Sequence, residues 1–288
     1  MRRAPLGVRG YRKRTAGECR RALDGPPDLD KHRAVMSTSL ERTAALLRDS
    51  KDLVVLTGAG ISTESGIPDF RSPGGIWTKY DPSEFTYQNF VRNRAHRERY
   101  WKMSLDIHPV LAAAEPNDAH RAIVALERRG SLRALVTQNI DGLHQRAGTS
   151  PERVIEIHGT ALSVLCLSCG DRLPREDVQA RVIAGEAAPE CDKCGGILKP
   201  ATVSFGQAMP ERETAEAFAH AEASDVFLVV GSSLVVHPAA YLPVRAVESG
   251  AKLVIVNLEP TPCDELATVV LRGKAGPTMS ALVDQLAH

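Results

Sequence analysis

Four cysteines occur as two Cys-x-x-Cys pairs, a spacing that can hold a metal ion. Cys166 and Cys169 form the first pair, Cys191 and Cys194 form the second, and 21 residues separate the pairs. Thiolates are soft ligands, and four of them favour a tetrahedral zinc ion. Because sulfur would fill every coordination position, this zinc would stabilise structure and would not activate water. Buried free thiols are the alternative interpretation.

A glycine-rich turn follows the first apolar run of the chain and comprises Gly58, Ala59, Gly60 and Ile61. Glycines let the backbone approach a pyrophosphate closely, and main-chain N–H groups at such a turn can donate to its oxygens. The third glycine of a G-x-G-x-x-G motif is missing, because Thr63 stands there. A tight strand-to-helix turn without a ligand is therefore the alternative.

The loop of residues 65–75 continues this turn and places Asp69, Phe70 and Arg71 side by side. Its glycines and prolines are typical of a loop that closes over a ligand, and an arginine suits a phosphate. We therefore favour a ligand-binding loop over a solvated surface loop.

Polar residues follow the ends of several predicted strands, where open α/β sheets bind their ligands. The segments are 137–142 after the second strand, 158–159 after the third, 231–233 after the fourth and 257–259 after the fifth. Helix capping explains any one of them, but together they predict a crevice of dinucleotide size. His158 can titrate near neutral pH, so we interpret it as a general base. His120 and His144 lie in predicted helical stretches, and we assign neither a catalytic role.

Short β-branched runs must position these residues. Six of them lie at 53–56, 134–136, 154–157, 226–230, 253–256 and 268–271, and most alternate with stretches of helical periodicity. This pattern predicts an α/β fold, a doubly wound Rossmann-like parallel sheet covered on both faces. Two insertions, a helical one at about 75–115 and the cysteine-containing one at about 161–200, should pack together as a smaller helical plus zinc-ribbon module.

The charge of the 288-residue chain is divided unevenly. Residues 1–35 contain ten Lys/Arg against four Asp/Glu, whereas the remaining residues contain 26 against 31. We interpret residues 1–36 as a basic, disordered tail, or as an extension upstream of a chain that starts at Met36. Residues 37–288 form the folded part.

Composition also limits the class of protein. The net charge of the whole chain is only +1, which excludes the uniformly basic composition of an obligate nucleic-acid binder. No run approaches the roughly 18 apolar residues of a membrane span. Paired cysteines in a chain of this length suit a reducing compartment. We therefore expect a cytoplasmic protein with no membrane partner and no nucleic-acid partner.

In their order along the chain, these blocks resemble the sirtuin family of NAD-dependent protein lysine deacylases. The resemblance is carried by segments 58–62, 66–71, 137–141, 158–159, 205–206, 231–233 and 257–259 and by the four cysteines. It covers about residues 37–288, which would be a sirtuin-type catalytic domain. Segments 99–101 and 165–170 are most similar to the branch that contains the mitochondrial fourth human sirtuin.

The resemblance implies NAD as a consumed co-substrate, one structural zinc ion, and acyl-lysine proteins as substrates. It implies His158 and Asn139 as catalytic residues. The implied NAD contacts are Gly58, Ala59, Gly60, Ile61, Glu64, Ile67, Asp69, Phe70, Arg71, Trp77, Gln138, Asn139, Ile140, Asp141, His158, Gly231, Ser232, Ser233, Asn257, Leu258, Glu259 and Ala275. The implied peptide contacts are Val203, Phe205, Gly206, Leu234 and Val235. The implied zinc ligands are Cys166, Cys169, Cys191 and Cys194.

The implied reaction transfers the acyl group to ADP-ribose. The acyl-lysine oxygen attacks the nicotinamide ribose, and nicotinamide leaves. His158 then takes a proton from a ribose hydroxyl, which attacks the bound acyl group, and water completes the release of free lysine and O-acyl-ADP-ribose. Asp141 would accept from the nicotinamide carboxamide, and Phe70 would shield the ribosyl carbon. The substrate peptide would add as a strand between segments 203–206 and 234–236.

Two departures from the family pattern limit what the resemblance implies. Gln207 stands where an acid commonly follows Phe-Gly, so a charged contact to the peptide at the rim is not carried over. Met103, three residues after Tyr100, stands where family members that remove dicarboxylic acyl groups carry arginine. We therefore predict a preference for acetyl or another neutral acyl group.

Three other functions remain as alternatives. Mono-ADP-ribosyl transfer to protein would use the same NAD site with a different acceptor. A zinc-ribbon adaptor for nucleic acid would use the basic tail, and it predicts strongly salt-dependent binding. A redox dehydrogenase is disfavoured by the missing third glycine of the turn.

Overall fold

The computed structural model describes residues 29–70 and 73–287. Its larger sheet is formed by β1 (Leu53–Thr57), β2 (Leu132–Thr137), β3 (Val154–Glu156), β7 (Val226–Val230), β8 (Lys252–Asn257) and β9 (Val269–Arg272). Within these described ranges the six strands are parallel, in the order β3-β2-β1-β7-β8-β9. All six apolar runs of the sequence therefore lie in one sheet, and the predicted α/β fold is confirmed.

Helices cover both faces of this sheet, which explains why its strands are continuously apolar. One face packs on α1 (Leu29–Asp49), α5 (Asp118–Arg128) and α10 (Ala275–Ala287), and the other packs on α8 (Glu211–Glu222) and α9 (Leu242–Glu248). Successive side chains of a strand point to opposite faces, so Val55 joins the first core and Val54 the second. Among the helices that the structure describes, none combines the length and apolarity needed to cross a membrane.

Helix α1 corrects the expected extent of the disordered tail. It begins at Leu29, so residues 29–36, which were expected to lack regular structure, are helical. Met36 and Leu40 pack against the core beneath α1, and such packing supplies most of the stability of a helix in a protein. The expectation for residues 1–28 concerns a part of the chain outside the described residues.

A smaller antiparallel sheet accompanies the large one. Its strands are β4 (Gly159–Cys166), β5 (Arg172–Pro174) and β6 (Leu198–Thr202), in the order β5-β4-β6. These strands form no apolar runs in the sequence, because β4 and β5 mix buried with exposed positions and because Lys199 and Pro200 interrupt β6.

Helices from both insertions pack against this smaller sheet and against each other. The first insertion contains α2 (Ile76–Lys79), α3 (Tyr87–Arg92) and α4 (Arg94–Ala113), and the second contains α7 (Arg175–Ile183). Trp101 of α4 is fully buried in one cluster with Val178 of α7, Val164 of β4 and Leu198 of β6. The two insertions therefore share one core.

The four paired cysteines meet at one end of the smaller sheet. Their Sγ atoms all lie within 4.8 Å of one another. The Sγ atoms of Cys166 and Cys194 are 3.6 Å apart, and those of Cys169 and Cys191 are 3.8 Å apart. A tetrahedral zinc site with metal–sulfur bonds of about 2.3 Å has edges of about 3.8 Å. The cysteine positions therefore fit a closed structural zinc site.

The ends of β1 and β7 approach each other so closely that only glycine fits between them. Gly60 N donates to Gly231 O at 2.8 Å. Gly231 has a φ of +62°, and a Cβ added to it would lie 2.3 Å from Ile61 N. Both the backbone conformation and the lack of space therefore exclude a side chain at position 231.

We predict that removal of one zinc ligand destabilises the protein, because metal binding and folding are linked. Cys166→Ser should lose most of its bound zinc and lower Tm by roughly 10 °C, as expected for a loss of a few kcal/mol. Cys263→Ser is the matched control, because Cys263 is buried outside the cluster. Metal analysis of the purified variants and thermal unfolding measure both effects. Equal zinc content in the two variants would contradict the assignment.

We also predict that alanine is far more costly at position 231 than at another left-handed glycine. Gly250 has a φ of +101° with open space around its Cβ position, so Gly250→Ala should cost only the backbone strain of about 1–2 kcal/mol. Gly231→Ala adds a clash with the backbone and should cost about 3 kcal/mol or more. Urea unfolding of both variants gives the two free energies. Similar values would show that the turn can move away.

Candidate functional site

The candidate site lies at the topological switch point of the large parallel sheet, where the spatial order of the strands reverses between β1 and β7. β1 pairs with β2 on one side and with β7 on the other, so their carboxyl ends flank a crevice of the kind that binds ligands. The glycine-rich segment forms a 3₁₀ turn, Ala59–Ser65, directly after β1. Gln138, after β2, donates from Nε2 to Ser232 Oγ, after β7, at 2.7 Å. Residues predicted from three separate strand ends therefore meet across this crevice.

A buried network of polar side chains forms the floor of the crevice. Asn139 Nδ2 donates to Gly58 O at 3.2 Å and to Ser62 Oγ at 3.1 Å. Ser62 Oγ in turn donates to Asp141 Oδ2 at 2.8 Å, while Leu143 N donates to Asp141 Oδ1 at 3.0 Å. Burial raises the pKa of Asp141, and these two hydrogen bonds oppose the shift. The network holds an amide and a carboxyl group in fixed orientations.

Ser62 was not among the predicted site residues, although it contacts both Asn139 and Asp141. It is nearly inaccessible to solvent. The signal in the sequence was a hydroxyl placed inside the glycine-rich turn, next to a buried isoleucine.

His158 follows β3 and has the hydrogen bond expected of a general base. Its Nδ1 lies 3.0 Å from Gln138 O. Because a carbonyl oxygen can only accept, Nδ1 must carry the proton, and the neutral ring keeps a lone pair on Nε2. Burial lowers the pKa of His158, and the bond to Gln138 opposes this shift. The ring is therefore neutral at pH 7 and able to take a proton at Nε2.

The loop after the glycine-rich turn folds against an aromatic cluster. Ile76 N donates to Asp69 O at 2.9 Å, and Trp77 N donates to Phe70 O at 3.1 Å. The ring of Trp77 lies 5.6 Å from Phe70 and 6.0 Å from Phe205, centroid to centroid. The indole therefore connects the predicted NAD contact Phe70 with the predicted peptide contact Phe205.

Ile67 and Arg71 are two further NAD contacts predicted in this loop. Ile67 is half-buried, and its N–H donates to Ser62 O at 3.3 Å. Arg71 lies outside the described residues.

The predicted peptide contacts expose apolar surface. Phe205 and Val235 are each 47% exposed, whereas Leu234 is buried with a φ of +52°. Phe205 O accepts from Tyr87 N at 2.9 Å, so segment 203–206 is tied to α3.

Gln207 takes part in the turn that follows this segment. Its Oε1 accepts from Ser204 N at 3.1 Å, and Gly206 O accepts from Gln88 Nε2 at 2.8 Å. The neutral side chain of Gln207 therefore stabilises its own turn, and this role needs an acceptor oxygen but no charge.

The residues predicted near the adenosine lie at the far side of the crevice, after β8 and at the start of α10. Asn257 Nδ2 donates to Glu259 O at 2.7 Å, and Leu258 is exposed. Glu64 Oε2 accepts from Gly276 N at 2.6 Å, beside Ala275. Glu64 thus caps the amino end of α10, where a negative charge is favourable.

Comparison with known proteins agrees with this geometry. The model of the family described as "Sir2 family" matches residues 58–238 of the chain. "NAD-dependent protein deacetylase 2" of Streptomyces coelicolor is 49% identical over 233 residues, which cover 80% of this chain and 96% of that protein. "NAD-dependent protein deacylase 2" of Archaeoglobus fulgidus is 45% identical over 253 residues, which cover 87% and 97%.

The fold is similar to solved structures of the same family. A structure described as Sir2, p53 peptide and NAD+ superimposes with a TM-score of 0.78 at 38% identity, covering 85% of this chain and 98% of that one. The family match spans more than half of the chain, and the relatives cover most of its length. The chain therefore belongs to the Sir2 family, the sirtuins.

Proposed function

We propose that the protein removes acyl groups from lysine side chains of other proteins and consumes NAD. The observation that carries the proposal is the neutral His158, held at Nδ1 by Gln138 O beside a crevice that contains the Asn139–Ser62–Asp141 network. The names of the relatives, deacetylase and deacylase, support this reaction. They do not favour mono-ADP-ribosyl transfer as the main activity.

NAD would lie along the carboxyl ends of the strands. Its phosphates would face the turn at residues 59–61 and Ser232, and its adenosine would lie near Asn257 and Ala275. The nicotinamide would lie beside Asn139 and Asp141, with Phe70 next to the ribosyl carbon. Support comes from the buried amide and carboxyl groups of the floor and from the hydrogen bond that joins Gln138 to Ser232.

His158 would act on the ribose of the co-substrate. Nε2 would accept the proton of a ribose hydroxyl, while Nδ1–H stays bonded to Gln138 O and keeps the ring oriented. The freed oxygen would then attack the acyl carbon. Asn139 would orient groups at the reacting carbon, because its carboxamide is fixed by Gly58 O and Ser62 Oγ.

The substrate would be an acyl-lysine in an extended protein segment. Segments 203–206 and 234–236 would pair with it through main-chain groups, which gives affinity with little sequence preference. The exposed side chains of Phe205 and Val235 would contact it. Residues 36–288 carry more acidic than basic residues, which favours a basic protein segment over a nucleic acid or a membrane surface.

The setting of the enzyme is part of the proposal. Four cysteines that hold zinc as thiolates suit the reducing cytoplasm. Residues 37–288, with α1 extended to Leu29, would be the catalytic domain. From the sequences of segments 99–101 and 165–170 we infer a place near the branch of the fourth human sirtuin.

Loss of the base should abolish turnover without unfolding the protein. We expect His158→Ala to lower kcat by about 10²- to 10⁴-fold, the usual contribution of a general base. His220→Ala is the matched control, because His220 bonds Arg133 near the opposite, amino end of β2. Mass spectrometry of nicotinamide and of an acyl-lysine peptide panel gives both rates.

Two outcomes of this experiment would overturn the proposal. One is the absence of NAD-dependent deacylation by the wild type on every peptide of the panel. The other is attachment of labelled ADP-ribose to protein at a higher rate than acyl-lysine is cleared, which would establish the transferase instead.

Neutral acyl groups should be removed faster than succinyl groups. Met103 follows Tyr100 on α4, where the Tyr100 ring packs against Phe85 and Phe90. A thioether cannot pair with a buried carboxylate, so we expect kcat/KM to favour acetyl over succinyl peptide by about tenfold or more. Met103→Arg should narrow this ratio, whereas Leu105→Arg, at an exposed position of α4, should not. Faster wild-type turnover of the succinyl peptide would contradict the preference.

A further inference from the structure

Two histidines to which the sequence analysis gave no role lie buried behind the site. His120 of α5 is 0% exposed, and His144 of α6 (Leu143–Ala147) is 1% exposed. Their ring centroids are 4.9 Å apart. Burial lowers the pKa of His120 to about 4 and the pKa of His144 well below its usual value, so both rings are neutral at pH 7.

A chain of hydrogen bonds leads from His144 to the backbone of Asn139. His144 Nε2 lies 2.9 Å from Thr57 Oγ1, and Thr57 Oγ1 donates to Thr137 Oγ1 at 2.9 Å. Thr137 Oγ1 also accepts from Asn139 N at 3.1 Å. Thr57 and Thr137 are directly paired at the ends of β1 and β2. The chain therefore ends on the residue whose carboxamide lies in the floor of the crevice.

The donors and acceptors in this chain assign one tautomer to each ring. His120 Nδ1 accepts from Asn117 N at 3.3 Å, so its proton is on Nε2. Since the Thr57 hydroxyl donates to Thr137, its oxygen accepts from His144, whose proton is therefore also on Nε2. This leaves His120 Nε2–H as a donor and His144 Nδ1 as an acceptor, and neither atom has a hydrogen-bond partner among the described residues.

The same end of α5 also holds the glycine-rich turn. Asn117 Nδ2 donates to Ile61 O at 2.7 Å and to Ser65 Oγ at 2.9 Å. The Asn117 side chain also accepts from the first N–H groups of α5 and so caps the helix. His120, one turn along, therefore sits on an element that is anchored to the crevice.

We propose that His144 is a positioning residue of the deacylation reaction. Its ring packs against that of His120 and orients the Thr57 and Thr137 hydroxyls, which thereby fix the main chain of Asn139. The proposal rests on the role given to Asn139 above. It requires a neutral Nε2–H ring at position 144, because the Thr57 hydroxyl then accepts from the ring while it donates to Thr137.

The tautomers can be measured without any assay of activity. Long-range ¹H–¹⁵N spectra of the full chain with labelled histidine, at pH 7.5, should show His120 and His144 as neutral Nε2–H tautomers. His144→Gln and His120→Gln assign the two signals. A proton on Nδ1 of His144 would overturn the proposal even if the protein is an active deacylase, and the expected spectrum would stand even if it is not.

Two substitutions separate positioning from simple packing. His144→Gln can place its amide N–H close to the position of Nε2 and donate to Thr57, whereas His144→Asn reaches only the position of Nδ1. We expect His144→Asn to lower kcat by about 10- to 100-fold with little change in KM for the peptide, as for a small displacement of a reacting group. His144→Gln should recover most of this loss. Equal kcat in the two variants, with only Tm affected, would overturn the proposal.

A second pair keeps the test informative if position 144 does not tolerate change. Thr57→Val removes the hydroxyl at similar shape, and Thr57→Ser keeps it. Thr57→Val should lower kcat as His144→Asn does, and Thr57→Ser should stay near the wild type. A fully active Thr57→Val variant would show that the hydroxyl chain does not position Asn139.

Discussion

The contact between the ends of β1 and β7 is the constraint on which the site depends. Gly60 N bonds to Gly231 O, and neither backbone could stay in place if position 231 carried a Cβ. The 3₁₀ turn rests on this contact, so Gly58 O and Ser62 Oγ lie within reach of Asn139. The glycine-rich turn and the polar floor are thus held by the same few atoms, and a shift of one would displace the other.

The burial of titratable side chains is the second property of the site. Isolated charges are costly in a low dielectric. At this site the buried histidine is neutral, and the buried carboxyl group accepts two hydrogen bonds. Burial lowers the pKa of His158, so its ring stays neutral at pH 7. The same burial raises the pKa of Asp141, whose carboxyl group accepts hydrogen bonds from Ser62 Oγ and Leu143 N. Desolvation therefore keeps the His158 ring neutral, while neighbouring oxygens and N–H groups determine the orientation of both side chains.

The features that could be predicted from sequence are those that produce a recognisable pattern within a short segment of the chain. Strands buried on both faces leave continuous apolar runs, and a metal-ligand spacing is local, so the large sheet and the cysteine cluster could both be predicted. The smaller sheet could not, because half-exposed strands such as β5 resemble loops. The pairing of His120 with His144 could not be predicted either, because the contact of their tilted rings, 4.9 Å between centroids, joins two helices and leaves no local pattern in either one.

The smaller sheet connects the zinc site to the chemistry. β4 begins directly after His158, and β6 ends directly before Val203, so the antiparallel pairing of Gly159 with Thr202 places His158 opposite Val203. Val203 N indeed donates to His158 O at 2.8 Å. A slip of one residue in this pairing would turn the side chains to the other face. The cysteine cluster joins the far end of β4 to the chain that enters β6, so a zinc ion bound there would hold together the end of the sheet at which Cys166 pairs with Leu198.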